Sequence, residues 1–350
     1  MEELSRMTLE DIAKEIGISR TTIYKVLKNK GNVSEETCRI VNEALEKYHY
    51  VQNRNARNLA MNRHYSIGYV GFRSKSANYF SKEVGKGLKR AVKEFGDDGL
   101  SLLISEFDVE KPWEQLTAVE EMLKQGVTSF ILAYSHEEVI REILERLRAK
   151  DCLVVLLSRD VEKWEDSYYV GVDYYRSGRL AAEILGKMLP GGGKIFVPVT
   201  PEYQTNRDVV SRIRGFQDKI REYPEVEVLP VAYGLMEEKE IYEAALACIR
   251  SEKKLKGIYD LTYRPDVIGR ALNDLGRRDI RLVGFDLFDE IRDYVEDSTI
   301  DAVIYQDLNQ QAYLAVKILF DEMCYGKRKE ERKRYSKLEV IMQENIQDFK

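Results

Sequence analysis

The stretch from residue 18 to residue 37, ISRTTIYKVLKNKGNVSEET, combines hydroxyl, aromatic and basic side chains at a spacing suited to an anionic surface. Residues 20–63 carry 9 Lys and Arg against 4 Asp and Glu, whereas the 350-residue chain has a formal net charge of −5. This difference in charge indicates an anionic partner for the N-terminal segment only. The side chains concerned are Arg20, Thr21, Tyr24, Lys25, Lys28 and Lys30.

The residues that metal binding or catalysis would need are not grouped in this sequence. The segment LPGGGKIF resembles a phosphate-binding loop only superficially, because the spacing is wrong and Ile195 stands where a hydroxyl residue is required. We therefore predict a protein without a metal, a cofactor or catalytic activity. The widely separated histidines and cysteines are His49, His64, His136, Cys38, Cys152, Cys248 and Cys324.

Three short amphipathic helices are predicted to position the N-terminal side chains. The first begins after the cap residue Thr8 and ends at Gly17, and the second is capped by Ser19. A third helix, capped by Ser34, completes a helix-turn-helix domain at residues 1–52. The buried stripe of the second helix is Ile23, Val26 and Leu27.

A polar segment, QNRNARNLAMNRH, overlaps the predicted linker at residues 53–65 and contains neither Pro nor Gly. Ala56, Leu59 and Ala60 have helical spacing. A helix from about Asn53 to Met61 is nevertheless shorter than the roughly 12–15 residues at which isolated helices persist in water. We expect a helix here that forms only when another surface packs on it.

From residue 66 onwards, apolar runs alternate with segments of helical periodicity, which is typical of parallel sheets with crossover helices. There are more apolar runs than one compact sheet usually has strands. This number favours two doubly wound lobes with a ligand cleft at the carboxyl ends of the strands. The predicted fold is an all-α helix-turn-helix head plus an α/β core of two parallel-sheet lobes. The first lobe is expected at about 66–160 plus 290–325, and the second at about 161–289 plus 326–346, within a core of 66–350.

The ordered combination of motifs resembles the lactose-repressor (LacI) family of bacterial transcription regulators over nearly the whole chain. The segments that carry this resemblance are TLEDIAKEIGISRTTIYKVLKN, NVSEETCRIVNEALEKYHYVQNRNARNLA, SRIRGF and LVGFDLF, in that order. The resemblance implies a core with the fold of periplasmic sugar-binding proteins and a homodimer as the working unit. It also implies a partner, a double-stranded DNA operator with a pseudo-palindromic sequence.

The resemblance implies that the second helix enters the major groove and presents its first residues to base edges. Arg20, Thr21 and Tyr24 are the expected base-reading residues, and an ordinary solvated helix face is the alternative. Lys25 can reach bases or phosphate. Because Tyr24, Lys25 and Lys28 stand where the family usually has Ser, Arg and Asn, the operator sequence is not predicted. The remaining expected DNA contacts of this domain are Thr8, Ser19 and Thr22, with Lys28 and Lys30 on phosphates.

The segment NRNARNLA matches the hinge helix of the family. Leu59 aligns with the residue that the family wedges into the minor groove, which costs unstacking energy and gains contact with bent DNA. The alternative for Leu59 is a core contact. The expected hinge contacts to DNA are Asn53, Arg54, Ala56, Arg57 and Leu59.

Polar and aromatic residues near the strand ends match the effector positions of the family, where an open α/β sheet places ligands. Arg212 matches the ligand-binding Arg of the family, and Asp286 and Gln306 end two later strands. Such side chains suit a monosaccharide or polyol, because they donate and accept hydrogen bonds in fixed directions. The alternatives are structural ion pairs and, for Asp266, a helix cap. The expected effector-binding residues are Asn78, Phe80, Arg159, Arg212, Asp266, Asp286 and Gln306.

The sequence therefore predicts a cytoplasmic, homodimeric repressor whose DNA binding is controlled by a small molecule in the cleft. The N-terminus lacks the basic start and apolar block of a secretory signal, and no apolar run is long enough to span a membrane. We expect the effector to relieve repression. The alternative is that it acts as a corepressor. A purine, sugar phosphate or partner protein as effector also stays open, as does a sugar-binding or sugar-processing protein.

Overall fold

The chain divides into two compact units, Met1–Arg63 and His64–Lys350, each with its own apolar core. The structure is a computed structural model that describes residues 9–27, 33–48, 64–73, 78–200, 207–326 and 331–349.

The smaller unit contains three short helices in the order expected for a helix-turn-helix. Gly17 ends the first helix in the left-handed region, with φ 66°. Ser19 and Ser34 begin the next two helices, because their Oγ atoms accept hydrogen bonds from the backbone N–H groups of Thr22 (3.1 Å) and Thr37 (3.2 Å). The helices are α1 (Leu9–Ile16), α2 (Arg20–Leu27) and α3 (Glu35–Lys47). Their shared core is Ile12, Ile23, Val26, Val41 and Ala44.

Within the described residues, the larger unit forms two six-stranded sheets. The first sheet has the order β11-β5-β4-β3-β1-β2 and the second the order β12-β10-β9-β8-β6-β7. The strand pairs are parallel except β10 with β12. The strands are β1 (Tyr65–Arg73), β2 (Leu100–Asp108), β3 (Ser129–Leu132), β4 (Leu153–Leu157), β5 (Tyr168–Gly171), β6 (Gly193–Phe196), β7 (Val226–Val228), β8 (Leu255–Tyr259), β9 (Arg281–Phe285), β10 (Ala302–Tyr305), β11 (Lys333–Tyr335) and β12 (Glu339–Ile341).

Helices cover both faces of each sheet, as parallel sheets require. In the first lobe, α4 and α12 share one apolar cluster with the sheet, and α5 and α6 share the other. In the second lobe, α9 and α10 cover one face and α7 and α8 the other. These helices are α4 (Asn78–Phe95), α5 (Glu114–Lys124), α6 (Glu137–Arg148), α7 (Tyr174–Met188), α8 (Arg207–Ile220), α9 (Glu238–Ser251), α10 (Pro265–Asp274) and α12 (Leu308–Tyr325), with a short α11 (Arg292–Glu296) before β10.

The chain crosses between the lobes at strand ends, which corrects the predicted lobe boundaries. The strand β5 pairs with β4, so residues 161–171 belong to the first lobe. The strand β10 pairs with β9, so residues 290–305 belong to the second lobe. The strand β11 returns to the first sheet beside β5. The hydrophobic pattern predicts a strand but does not say which sheet it joins, and this caused the error.

The ten apolar runs between residues 67 and 306 that the sequence predicts as strands each overlap one of the strands β1 to β10. The exposed edge strand β11 was not predicted, because Lys333, Arg334 and Tyr335 show no apolar pattern. No helix among the described residues is long and apolar enough to cross a membrane.

Candidate functional site

The exposed face of α2 carries the side chains that the sequence predicts to read bases. Arg20, Thr21 and Lys25 are exposed, and Tyr24 is 41% exposed. The opposite face holds Ile23, with no exposed surface, against the core of the head. The helix therefore separates its packing face from a face of hydroxyl, aromatic and basic groups.

Two hydroxyl residues of this helix have local partners at its start. The Oγ of Ser19 and the Oγ1 of Thr22 lie 2.8 Å apart and share a hydrogen bond. Both predicted contacts therefore also stabilise the helix N-terminus. The other predicted DNA contacts lie outside the described residues; these are Thr8, Lys28, Lys30, Asn53, Arg54, Ala56, Arg57 and Leu59.

Asp286 forms the centre of a polar network between the two lobes. It follows β9 directly, has φ 64°, and is only 2% exposed. Its Oδ2 accepts hydrogen bonds from the Tyr79 hydroxyl of the first lobe (2.8 Å) and from Nε2 of Gln306 (2.9 Å). Gln311 holds Gln306 in turn, donating to its backbone oxygen at 2.9 Å. Burial raises the pKa of Asp286 to about 6, and the hydrogen bonds from Gln306 and Tyr79 oppose that rise.

Arg212, on α8 of the second lobe, is buried among aromatic rings. It is 2% exposed, and its guanidinium carbon is 3.6 Å from the ring centre of Phe285 and 4.7 Å from that of Tyr174. Close backbone packing of α7 and α8 fixes its place, since a Cβ on Gly178 would lie 1.9 Å from the Arg212 carbonyl oxygen. Burial lowers the pKa of Arg212, but nearby tyrosines and Asp286 more than compensate, so the guanidinium stays charged.

Side chains from the two lobes also meet on either side of this centre. Nε of Arg159, which follows β4, lies 2.9 Å from Oδ2 of Asp208 on α8. Nζ of Lys82 on α4 lies 2.5 Å from Oδ2 of Asp289. Together with the bond between Tyr79 and Asp286, these contacts join the lobes across the cleft. Two of the three contacts contain a predicted effector residue, Arg159 or Asp286.

The aromatic residue predicted at the first strand–helix connection needs correction. Phe80 is 7% exposed and stacks on Phe72, with ring centres 4.8 Å apart, so it belongs to the core of the first lobe. Its neighbour Tyr79 is the ring on the cleft side and stacks on Phe288 at 5.1 Å. Successive helix residues differ by about 100° in direction, which the sequence alignment did not resolve. Asn78 is the first residue of α4.

Asp266 is held by an ion pair beside the cleft. Its carboxylate accepts hydrogen bonds from Nε of Arg264 at 2.9 Å and from Nη2 at 2.7 Å. Arg264 also reaches Glu238 on α9, at 3.4 Å. Asp266 therefore has the structural role that the sequence left open as an alternative, and its predicted contact with an effector stays a prediction.

Several buried polar atoms at the centre of the cleft have no hydrogen-bond partner within the described chain. They include Oδ1 of Asp286 and Nε of Arg212, one acceptor and one donor. A buried polar group without a partner costs free energy, so such atoms mark places where a ligand or water is expected. A molecule rich in hydroxyl groups supplies both donors and acceptors to such a site.

Sequence reasoning missed Tyr79, Tyr174 and Asp208, which contact predicted effector residues, and the buried Asp260 at a neighbouring strand end. Asp260 is 1% exposed and follows β8, and burial raises its pKa to about 6. Its place just beyond an apolar strand run was a usable signal, as it was for Asp286. Tyr174 and Asp208 begin helices, and the strand-end rule does not select such positions.

Two family models match the chain in adjacent segments. The model described as bacterial regulatory proteins, lacI family, matches residues 8–53. The model described as periplasmic binding protein domain matches residues 67–328, which is most of the chain.

Individual proteins are similar to parts or to most of this chain. The probable HTH-type transcriptional repressor ExuR of Bacillus subtilis is 27% identical over 158 residues, or 45% of this chain and 44% of that protein. The chain thus matches less than half the length of that relative. The sucrose operon repressor of Lactococcus lactis is 24% identical over 319 residues, covering 89% of this chain and 92% of that protein. An ABC transporter solute-binding protein from Burkholderia graminis, solved with D-arabinose, has a TM-score of 0.72 at 18% identity, covering 81% of this chain and 97% of that chain.

Proposed function

The chain belongs to the LacI family of bacterial regulatory proteins, and we propose that it is a DNA-binding repressor controlled by a sugar or polyol in the interlobe cleft. The observation that carries this proposal is that one chain contains both a surface suited to DNA and a site suited to a small polar ligand. The head presents basic and hydroxyl groups on an exposed helix face, and the core contains buried polar atoms between two lobes that have no partner among the described residues.

On the DNA side, Arg20, Thr21 and Tyr24 read base edges from the start of α2. Arg can bond guanine through two parallel hydrogen bonds, while Tyr and Thr add hydroxyls and apolar surface. Lys25, Lys28 and Lys30 neutralise phosphates. We propose that the hinge residues 53–59 also contact DNA, with Leu59 as a minor-groove wedge.

On the effector side, Asp286 and Arg212 bond the ligand hydroxyls, and Gln306 orients Asp286 through its 2.9 Å hydrogen bond. Arg159 closes the site from the first lobe through Asp208, at 2.9 Å. The sucrose operon repressor supports a sugar as the effector class.

The switch is a change in the balance between two lobe arrangements. A ligand shifts that balance only if it binds one arrangement more tightly than the other. The contacts Tyr79–Asp286, Arg159–Asp208 and Lys82–Asp289 break when the lobes separate, so a ligand that bonds the same groups favours closure. Closure then weakens operator binding, which relieves repression. Corepression is the outcome if closure strengthens operator binding.

We also propose that the chain works as a homodimer in the cytoplasm. A pseudo-palindromic operator is read by two heads related by a two-fold axis, which one chain does not supply. The relatives from Bacillus subtilis and Lactococcus lactis are named as repressors, and we propose no catalytic activity for this chain.

Binding to the DNA upstream of its own gene tests the regulator proposal. We expect a dissociation constant that rises steeply between 50 and 200 mM salt, because each phosphate contact releases counterions. Unrelated DNA of equal length is the control and should bind at least roughly 1,000-fold more weakly. Equal affinity for both DNAs across this salt range would reject sequence-specific binding.

A further inference from the structure

Two strands of the first sheet contain the same three residues, Tyr-Val-Gly, in similar local geometry. They are residues 69–71 of β1 and residues 169–171 of β5. A Cβ on Gly71 would lie 2.0 Å from the hydroxyl oxygen of Tyr69, and a Cβ on Gly171 would lie 2.1 Å from that of Tyr169. Each tyrosine is buried, and its ring therefore occupies the space over the glycine two positions later.

The hydroxyl groups of these two tyrosines differ in their hydrogen bonds. The Tyr69 hydroxyl is buried and has no partner among the described residues. The Tyr169 hydroxyl donates to the carbonyl oxygen of Val172 at 2.9 Å and to that of Ser158 at 3.1 Å. Burial raises the pKa of Tyr169 well above its usual value, so the hydroxyl keeps its proton and can donate.

Tyr169 lies beside two of the segments through which the chain passes between the lobes. One such crossover contains Val172, between β5 of the first lobe and α7 of the second. Another runs from β11 to β12 and contains Ser336, whose backbone N–H donates to the carbonyl oxygen of Gly171 at 2.7 Å. The ring of Tyr335 borders this second crossover and meets the Tyr169 ring edge-on, with ring centres 5.9 Å apart. Tyr169 therefore contacts one crossover through its hydroxyl and the border of the other through its ring.

The carbonyl oxygen of Ser158 connects this arrangement to the second lobe. It also accepts a hydrogen bond, at 2.8 Å, from the hydroxyl of Tyr174, the first residue of α7. Ser158 follows β4 and has φ 69°, a left-handed conformation that is uncommon for residues other than glycine. A tyrosine from each lobe is thus bonded to one carbonyl oxygen of the first lobe. Rotation of the lobes about the crossover changes these distances.

We infer that Tyr169 sets the resting angle between the two lobes, because its hydroxyl fixes the direction in which the chain leaves the first lobe. Phe at this position fills nearly the same space but loses the bonds to Val172 and Ser158, so the crossover becomes freer to turn. The inference goes beyond the proposed function. It concerns the balance of lobe arrangements in the ligand-free chain, and it does not depend on which molecule binds the core.

The distance between two spin labels, one in each lobe, tests this role in the full chain without ligand. The labels are attached to Lys124→Cys on α5 and Arg214→Cys on α8, both exposed positions. Dilution with unlabelled protein limits the measured distances to those within one chain. We expect Tyr169→Phe to increase the population of a second interlobe distance about 2- to 10-fold, as expected for the loss of one hydrogen bond. The native cysteines are replaced by alanine in all samples; they are Cys38, Cys152, Cys248 and Cys324.

Tyr69→Phe is the matched control, since its ring lies over Gly71 in the same way and its hydroxyl has no partner among the described residues. It should leave the interlobe distances unchanged. A wild-type distance distribution in Tyr169→Phe would overturn the inference, even with a lower Tm, because the hydroxyl would then only stabilise the fold. An equal change in Tyr69→Phe would also overturn it. Neither outcome involves DNA or an effector, so both are distinct from a failure of the proposed function.

Discussion

The head and the cleft place their functional side chains in opposite environments. Arg20, Thr21 and Lys25 stand exposed on one helix, whereas Arg212 and Asp286 are each 2% exposed and contact elements distant in sequence. An exposed group is available to a large, charged and variable partner such as DNA. A buried group selects a small ligand through fixed hydrogen bonds, because a mismatch leaves it unpaired. Substitutions in the cleft should therefore have larger effects on binding than those in the head.

Arg212→Met should have the largest effect on effector binding. The variant keeps most of the volume but removes the charged donors, which contribute about 3 kcal/mol to hydrogen bonding, or roughly 100-fold in affinity. Isothermal titration with the sugar that gives the largest thermal shift measures this loss. Arg270→Met is the control, since Arg270 lies over Tyr242 (4.8 Å to the ring centre) outside the cleft. Unchanged sugar affinity in Arg212→Met would remove Arg212 from the site.

Asp286→Asn tests the electrostatic cost of the buried carboxyl. In the folded state the pKa of Asp286 is raised from 3.8 to about 6. The protonated carboxyl therefore contributes to folding stability below pH 4, and this contribution is lost as the pH rises through 6. The difference corresponds to at most about 3 kcal/mol. Denaturant unfolding at pH 4.5 and pH 7 should therefore show a smaller decrease in stability for Asp286→Asn than for the wild type. An equal decrease in both proteins would show that the carboxyl is ionised throughout.

Arg20→Ala should have a smaller effect, because an exposed base contact contributes about 1–3 kcal/mol. We expect weaker operator binding with little change in binding to unrelated DNA. Arg39→Ala is the control, since Arg39 is an exposed Arg on α3 that pairs with Glu36 at 2.7 Å. Electrophoretic mobility shifts measure both affinities. Equal losses on operator and unrelated DNA would make Arg20 a phosphate contact.

Ser34→Ala should have the smallest effect, about 1 kcal/mol in the stability of the head, because it removes the cap of α3. Thr21→Ala is the matched comparison. Because Thr21 is exposed on α2, we expect this variant to keep the stability of the head and to change its operator affinity. Hydrogen exchange of the head helices measures the stability difference. A stability loss in Thr21→Ala equal to that in Ser34→Ala would contradict this separation.

The same contrast explains what the sequence could predict. The exposed face of α2 follows from helical periodicity, which is local, and the head helices and the strands β1 to β10 were predicted for the same reason. The cleft depends on contacts such as Tyr79–Asp286, whose partners are separated by 207 residues. Only the fold brings them together, and so Phe80 was chosen where Tyr79 faces the cleft.

The resemblance to the family predicted Arg212, Asp286 and Gln306 as effector residues but did not predict what surrounds them. The left-handed backbone of Tyr263 and the clamp between Arg264 and Asp266 depend on backbone geometry that no hydrophobic pattern encodes. The lobe assignments of β5 and β10 failed for a related reason, because strand pairing is a long-range property.

Coupling between the two regions is the central claim, and operator affinity with and without the sugar tests it most directly. The dissociation constant of the full-length protein for its operator should rise at least roughly tenfold at saturating sugar, a coupling of about 1.4 kcal/mol. By reciprocity, operator DNA should weaken sugar binding by the same factor. An operator affinity that is identical at zero and saturating sugar would contradict the account.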